Sequence, residues 1–312
     1  MKHLKQIDHL RNRQLSLAFA FSFLILIAGY PAELKSQSFD GLKELTGYSI
    51  PVYFSSGSDE RAGIIALRCD NAFRWYKDLL QYKPSLTLLI LSPEDWSRFT
   101  NFPVYGMPHY KDDHTLVVAS ADNDFWRSFV PQMNLLPDNL ADNIRDAYTG
   151  ADGNLTMGPF FDLLALHELG HAFHIQAGLN MQRKWIGELF VNLFLHTYIA
   201  ENEPALLPAL TVFPEMVIAG DRSSLKYTTL TDLENRYDEI GQRYPQNYGW
   251  YQSRWHAAAV DIYDAGGRKV FLDFWRALAG QHEDLESDEE LAGFLAGKVH
   301  QSVADVLLKW DN

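Results

Sequence analysis

One cysteine, Cys69, stands in a chain of 312 residues, so no disulfide can form within it. The same scarcity takes cysteine out of any zinc ligand set and leaves histidine and carboxylate. Positive charge is also in short supply. Lys and Arg total 27 against 40 Asp and Glu, for a net charge of −13. No basic stripe follows the N-terminus, and nucleic acid is therefore excluded as an expected partner. Internal repeats and low-complexity tracts are absent. What the chain does hold is 47% hydrophobic and 21% charged residues. That is the balance of a globular protein, with apolar material for a large core in one two-lobed domain or two small ones.

The N-terminus has the order of a targeting segment. Lys2, Lys5, Arg11 and Arg13 precede Leu15–Tyr30, an apolar stretch of 16 residues without a charge. The run is long for a signal-peptide core and short for a spanning helix. Residues 1–32 therefore read as a signal peptide, or as an N-terminal anchor where the leader stays uncleaved. Ser36-Gln37-Ser38 has small residues at both key cleavage positions, whereas a cut after Ala32 would put Tyr30 at a poor one. No cysteine follows the apolar run, so a lipoprotein anchor is excluded. Export without disulfides fits a bacterial periplasm or exterior better than a eukaryotic secretory route. Contact with a membrane is expected only through an uncleaved leader.

Residues 33–157 mix strands with helices. Strands are expected at 48–56 and 85–92, a helix at 60–82, and a hairpin at 104–110 and 114–119. From Pro159 onward strand signals nearly vanish. Helices are expected at 159–177, 184–202, 230–241, 248–265, 268–279, 287–297 and 301–310. Turn chemistry parts them, at Gly178-Leu179-Asn180, Glu203-Pro204, Pro245-Gln246-Asn247, Gly266-Gly267 and Gly280. The expected fold class is α+β: a mixed lobe with an antiparallel-edged sheet, then a mostly helical lobe over residues 158–312.

At the seam lies Leu166-His167-Glu168-Leu169-Gly170-His171. On a helix, residues i and i+4 share a face, so His167 and His171 can point at one metal ion. Glu168 is placed beside the first ligand, where it can reach a metal-bound water and act as general base. The neighbours Leu163–Leu166 and Ala172-Phe173 are uncharged, which implies a buried helix, and buried ionisable groups want a reason. A catalytic zinc takes three protein ligands and keeps one position open. Candidates for the third are His174, Glu188, His196, Glu201 and Glu203. His174 shares the helix with the first two and gives poor tetrahedral geometry. Glu201 and Glu203 end the next helix beside Pro204. Glu188 is the better choice, because a helix returning past the first would bring its carboxylate to the metal. Asn192 lies one turn further on and can orient a ligand histidine.

His-Glu-x-x-His followed by Glu188 in a Glu-x-x-x-Asn setting resembles the gluzincin branch of zinc metallopeptidases, which includes thermolysin and the one-zinc aminopeptidases. The 16 residues between His171 and Glu188 are close to the spacing of that branch. Asn247–Ser253 with the later Asp264-Ala265-Gly266-Gly267 is similar to the helical lobe of many bacterial members. The metzincin pattern does not fit, since Ala177 and His174 stand where its third His and its Gly belong. The resemblance implies a zincin-like fold with one Zn2+ on His167, His171 and Glu188. It implies Glu168 as general base and a tyrosine donor for the oxyanion, with Tyr251 first, Tyr248 next and His256 third. It further implies a peptide or protein substrate, hydrolysed through a zinc-bound water. The aminopeptidase segment Gly-x-Met-Glu-Asn has no counterpart, because Gly106-Met107-Pro108-His109-Tyr110 lacks the acid. His109 and Tyr110 are instead expected on an edge strand along the cleft. Two rival readings stand beside this one: a zinc hydrolase of the same fold acting on another amide or ester, and a non-catalytic zinc-binding or interaction protein. The intact Glu168 counts against the second.

Overall fold

A computed structural model describes residues 39–150 and 152–311. The expected leader, residues 1–32, lies outside them. Five strands form one sheet in the order β1-β2-β3-β5-β4. They are β1 (Lys43–Glu44), β2 (Val52–Phe54), β3 (Thr87–Leu91), β4 (His109–Asp112) and β5 (Thr115–Ala119). β2, β3 and β5 are parallel, while β1 and β4 run antiparallel at the two edges. Leu88–Leu91 and all of β5 are buried, the unbroken apolar run of a parallel strand covered on both faces. Helix α1 (Asp59–Leu80) makes the crossover from β2 to β3 and buries Ala62, Ile65, Ala66, Cys69, Ala72, Phe73 and Tyr76. The short α2 (Pro93–Phe99) follows β3. β4 and β5 pair as a hairpin, but its first strand runs over His109–Asp112 rather than the expected 104–110, with a register shift between Tyr110 and Asp112.

Helices fill the rest: α3 (Asp124–Arg127), α4 (Asp138–Tyr148), α5 (Gly158–Gln176), α6 (Lys184–Asn202), α7 (Leu207–Ala219), α8 (Leu230–Arg243), α9 (Pro245–Gly280), α10 (Asp288–Lys298) and α11 (Gln301–Leu308). The chain is α+β, a small mixed sheet with a predominantly helical remainder. Three helices have no counterpart in the sequence expectations, α3, α4 and α7. In α7 the reason is proline: Pro208 sits in the first turn and Pro214 inside the helix, where it forfeits a backbone bond. The expected break at Gly266-Gly267 is present, where non-helical backbone kinks α9 and parts it into two helical stretches. Gly267 has φ +60° and ψ −158° within the 36-residue α9, a conformation open to glycine. No helix among the described residues is long and apolar enough to cross a membrane.

α5 and α6 are apolar around almost their whole circumference, which is the pattern of helices enclosed by protein. Every residue from Trp185 to Ile199 is buried. Pro159 opens α5 in its first turn, and Gly178, at φ +67°, closes it. Tyr76 of α1 stacks on Phe194 of α6, with ring centroids 3.5 Å apart, and meets Phe173 of α5 and Phe271 of α9 edge-on. This cluster ties the sheet side to the helices. α6 packs tightly against α5 at Gly170. A Cβ there would lie 3.1 Å from Val191 Cγ1 and 3.2 Å from the Phe194 ring. Gly170→Leu should therefore overpack the joint and cost about 1–3 kcal/mol. Urea unfolding reads this directly, and an unchanged midpoint would show that the joint is loosely packed.

Candidate metal centre

His167, His171 and Glu188 come together from α5 and α6. All three are buried, and one ligand atom from each lies within 4.8 Å of the others. His167 Nε2 is 3.5 Å from Glu188 Oε2, and His171 Nε2 is 4.0 Å from the same oxygen. The i,i+4 spacing on α5 aims both imidazoles one way, with ring centroids 5.0 Å apart. Burial and the charge on His167 lower the His171 pKa, opposed by Glu188, to about 4. The ring is thus neutral near pH 7 and has a lone pair to offer. Burial favours protonation of Glu188, but its hydrogen bonds to His167 and Tyr237 and the two imidazoles beside it outweigh this and hold it well below the usual carboxylate range. The neutral His171 ring and the ionised Glu188 are deprotonated donors, the form that a metal ion requires. The described residues place one buried group here that can hold a metal ion.

Around these three, several expected residues are accounted for differently. His174 is not a third ligand; its Nε2 meets His171 Nδ1 at 2.9 Å, so it orients that ring from behind. Asn192 does not turn to a histidine. Its Nδ2 donates to the Glu188 carbonyl at 2.9 Å and to Gln252 Oε1 at 3.1 Å. Glu203 accepts from Arg68 at 3.0 Å, and Glu201 accepts from Tyr263 at 3.0 Å, so both acids are engaged elsewhere. His196 packs its ring against Tyr263 with centroids 5.3 Å apart. His256 is buried against Phe160, and burial, with the charges of His167 and His196, lowers its pKa to about 3.

Glu168, buried beside the ligands, has no hydrogen-bond partner at Oε2 among the described residues. Burial first, then the charge of Glu188, push its pKa well above the usual value. The Glu168 backbone carbonyl accepts a bond from the Tyr110 hydroxyl at 3.0 Å, which joins edge strand β4 to α5. His109 turns the other way. Its Nδ1 meets the Met107 carbonyl at 2.9 Å, its Nε2 meets Thr100 Oγ1 at 2.6 Å, and Phe102 stacks on its ring.

Tyr251 is not brought to this group. Its hydroxyl donates to the Thr229 carbonyl at 2.7 Å, and its ring stacks on Trp255 and Trp310. The charges that act on it are Asp232, Asp311 and Arg254. Tyr248, one turn earlier, accepts a bond from Gln252 Nε2 at 2.9 Å and feels the charges of Glu188 and Glu168. Two residues that sequence reasoning missed touch Glu188 directly. Tyr237 donates to Oε1 at 2.5 Å, and Gln252 donates to Oε2 at 2.7 Å. Gln252 carried a usable signal, since Tyr248-x-x-x-Gln252 shares one face of α9. Tyr237 carried none. It follows Arg236, whose φ of −133° and ψ of 23° break the regularity of α8.

No family model and no curated protein matches the chain. Glu188→Ala should weaken binding of Zn2+ by at least a hundredfold in a chelator-competition titration, because two protein ligands are too few for a tight site. Glu201→Ala and Glu203→Ala should leave it unchanged. Retained affinity in Glu188→Ala would remove that carboxylate from the ligand set.

Proposed function

We propose that this chain is an exported zinc-dependent metallopeptidase of the gluzincin type, with a zincin-like arrangement of a mixed lobe, a helical lobe and the His-Glu helix at their seam. One observation carries the reading: His167, His171 and Glu188 converge in a buried cluster of donors with Glu168 next to them. A tetrahedral zinc holds its ligand atoms about 3.4 Å apart, close to the 3.5 Å and 4.0 Å separations from Glu188 Oε2 to the two imidazoles. Two imidazoles and one carboxylate are also the donor set that zinc takes in hydrolases that keep an open position. The basic and apolar leader supports export.

Zinc held by these residues supplies Lewis acidity toward a carbonyl and acidifies a coordinated water. The chain's own groups do the rest. Glu168 takes a proton from the attacking water and delivers it to the leaving amine nitrogen, so one O–H bond and the C–N bond break as C–O and N–H bonds form. Its Oε2, buried and without a protein donor, is the atom suited to that proton. His174 holds the His171 ring at its far nitrogen. Between the two tyrosines weighed for the oxyanion, Tyr248 is the one whose surroundings are those of the site. β4 is an edge strand tied to the His-Glu helix through Tyr110, which gives an extended peptide a place to pair.

Glu168→Gln should keep bound zinc and lose hydrolysis of a denatured peptide mixture, since the base goes while the ligands stay. Metal analysis beside the assay tests both halves; undiminished hydrolysis would overturn the mechanism, and loss of zinc would make Glu168 structural. Tyr248→Phe should lower turnover by roughly 10²–10³, the range for one oxyanion donor. Tyr251→Phe should instead cost about 0.5–1.5 kcal/mol of stability, the worth of one buried hydrogen bond, with turnover kept. The reverse pattern would return the donor role to Tyr251.

A further inference from the structure

Glu188 is held from three sides, and donor and acceptor arithmetic fixes how. An ionised carboxylate only accepts, so Gln252 must present its NH2 to Oε2, 2.7 Å away. The amide oxygen then faces Asn192, which must present its own NH2 at 3.1 Å. The second hydrogen of Gln252 goes to the Tyr248 oxygen at 2.9 Å. Neither amide can flip without setting oxygen against oxygen. On the other side of the carboxylate, the Tyr237 hydroxyl donates to Oε1 at 2.5 Å. It is delivered there by the break in α8 at Arg236. Oε2 faces the imidazoles, at 3.5 Å from His167 and 4.0 Å from His171.

We propose that Tyr237 and Gln252 are positioning residues that make Glu188 a one-oxygen ligand. Tyr237 occupies Oε1, and Gln252 fixes the carboxylate plane with Oε2 toward the metal. A carboxylate free to turn would offer both oxygens and take up a further coordination position. With Oε1 held back, the three ligands leave that position to substrate and water. The inference rests on the metallopeptidase reading for the metal, and adds what sets the geometry of its third ligand.

The test uses the full chain and its Tyr237→Phe and Gln252→Leu variants, loaded with Co2+ for spectroscopy and titrated with Zn2+ against a chelator. Tyr237→Phe keeps the ring and its packing. Both variants should bind zinc 10–100-fold more weakly, the usual effect of removing a group that orients a ligand. The visible Co2+ absorption of the parent should be that of a four-coordinate ion and should weaken in Tyr237→Phe as the second oxygen binds. A merely structural role would lower the metal-free thermal midpoint of Tyr237→Phe, as the loss of one buried hydrogen bond does, without altering the Co2+ spectrum, so the spectrum separates the two. Zinc affinity and Co2+ spectrum both unchanged in Tyr237→Phe and Gln252→Leu would overturn the clamp and leave the metal site standing. A parent chain that binds neither ion would overturn the metallopeptidase reading as well.

Discussion

A carboxylate withdrawn from water into an apolar helix pair costs several kcal/mol unless donors or a cation meet its oxygens. Glu188 is in that position, buried on a helix whose residues from Trp185 to Ile199 are all enclosed. Much of the helical half answers that demand. α5 brings two imidazoles, α8 brings Tyr237, and α9 brings Gln252 with Tyr248 behind it. Four helices thus share one side chain. Without it, three of them would present unmatched polar groups to the core, which is a strong constraint on how they can pack.

The sheet takes part through narrow links. Tyr110 reaches from the edge strand to the backbone of the His-Glu helix, and Tyr76 passes under α6 to the aromatic cluster. The joint at Gly170 lets α6 come close enough for Glu188 to stand over both imidazoles. A side chain at 170 would hold α6 away from α5, and the separation would reach the carboxylate one turn before Val191.

Local patterns in the sequence served well where the relevant spacing was short. His167 and His171 share a helix face by i,i+4, and Glu188 lies on the next helix, so the trio was legible. The edge hairpin and the ends of α5 and α6 were legible through Pro159, Gly178 and the alternation of apolar residues. What failed was anything decided by rotation about a helix or by distant partners. Tyr248 and Tyr251 differ by about 300° of helical turn, and the choice between them rests on Trp255 and Trp310, which draw Tyr251 into a stack. Tyr237 depends on a single non-helical residue in a helix far along the chain. Asn192 was placed on the right face but given the wrong neighbour, because Gln252 arrives from α9. The helix α7 was hidden by its prolines.

Tyr251 and Trp310 act on consecutive carbonyls at the start of α8: the Tyr251 hydroxyl donates to Thr229 at 2.7 Å, and the Trp310 indole donates to Thr228 at 2.8 Å. The helix that carries Tyr237 to Glu188 therefore begins on an anchor supplied from far downstream. A chain emerging from the ribosome N-terminus first exposes His167 and His171 well before that anchor exists. Assembly of the finished centre is thereby coupled to arrival of the segment through Trp310, and a partly emerged chain carries the ligands without the arm that orders them.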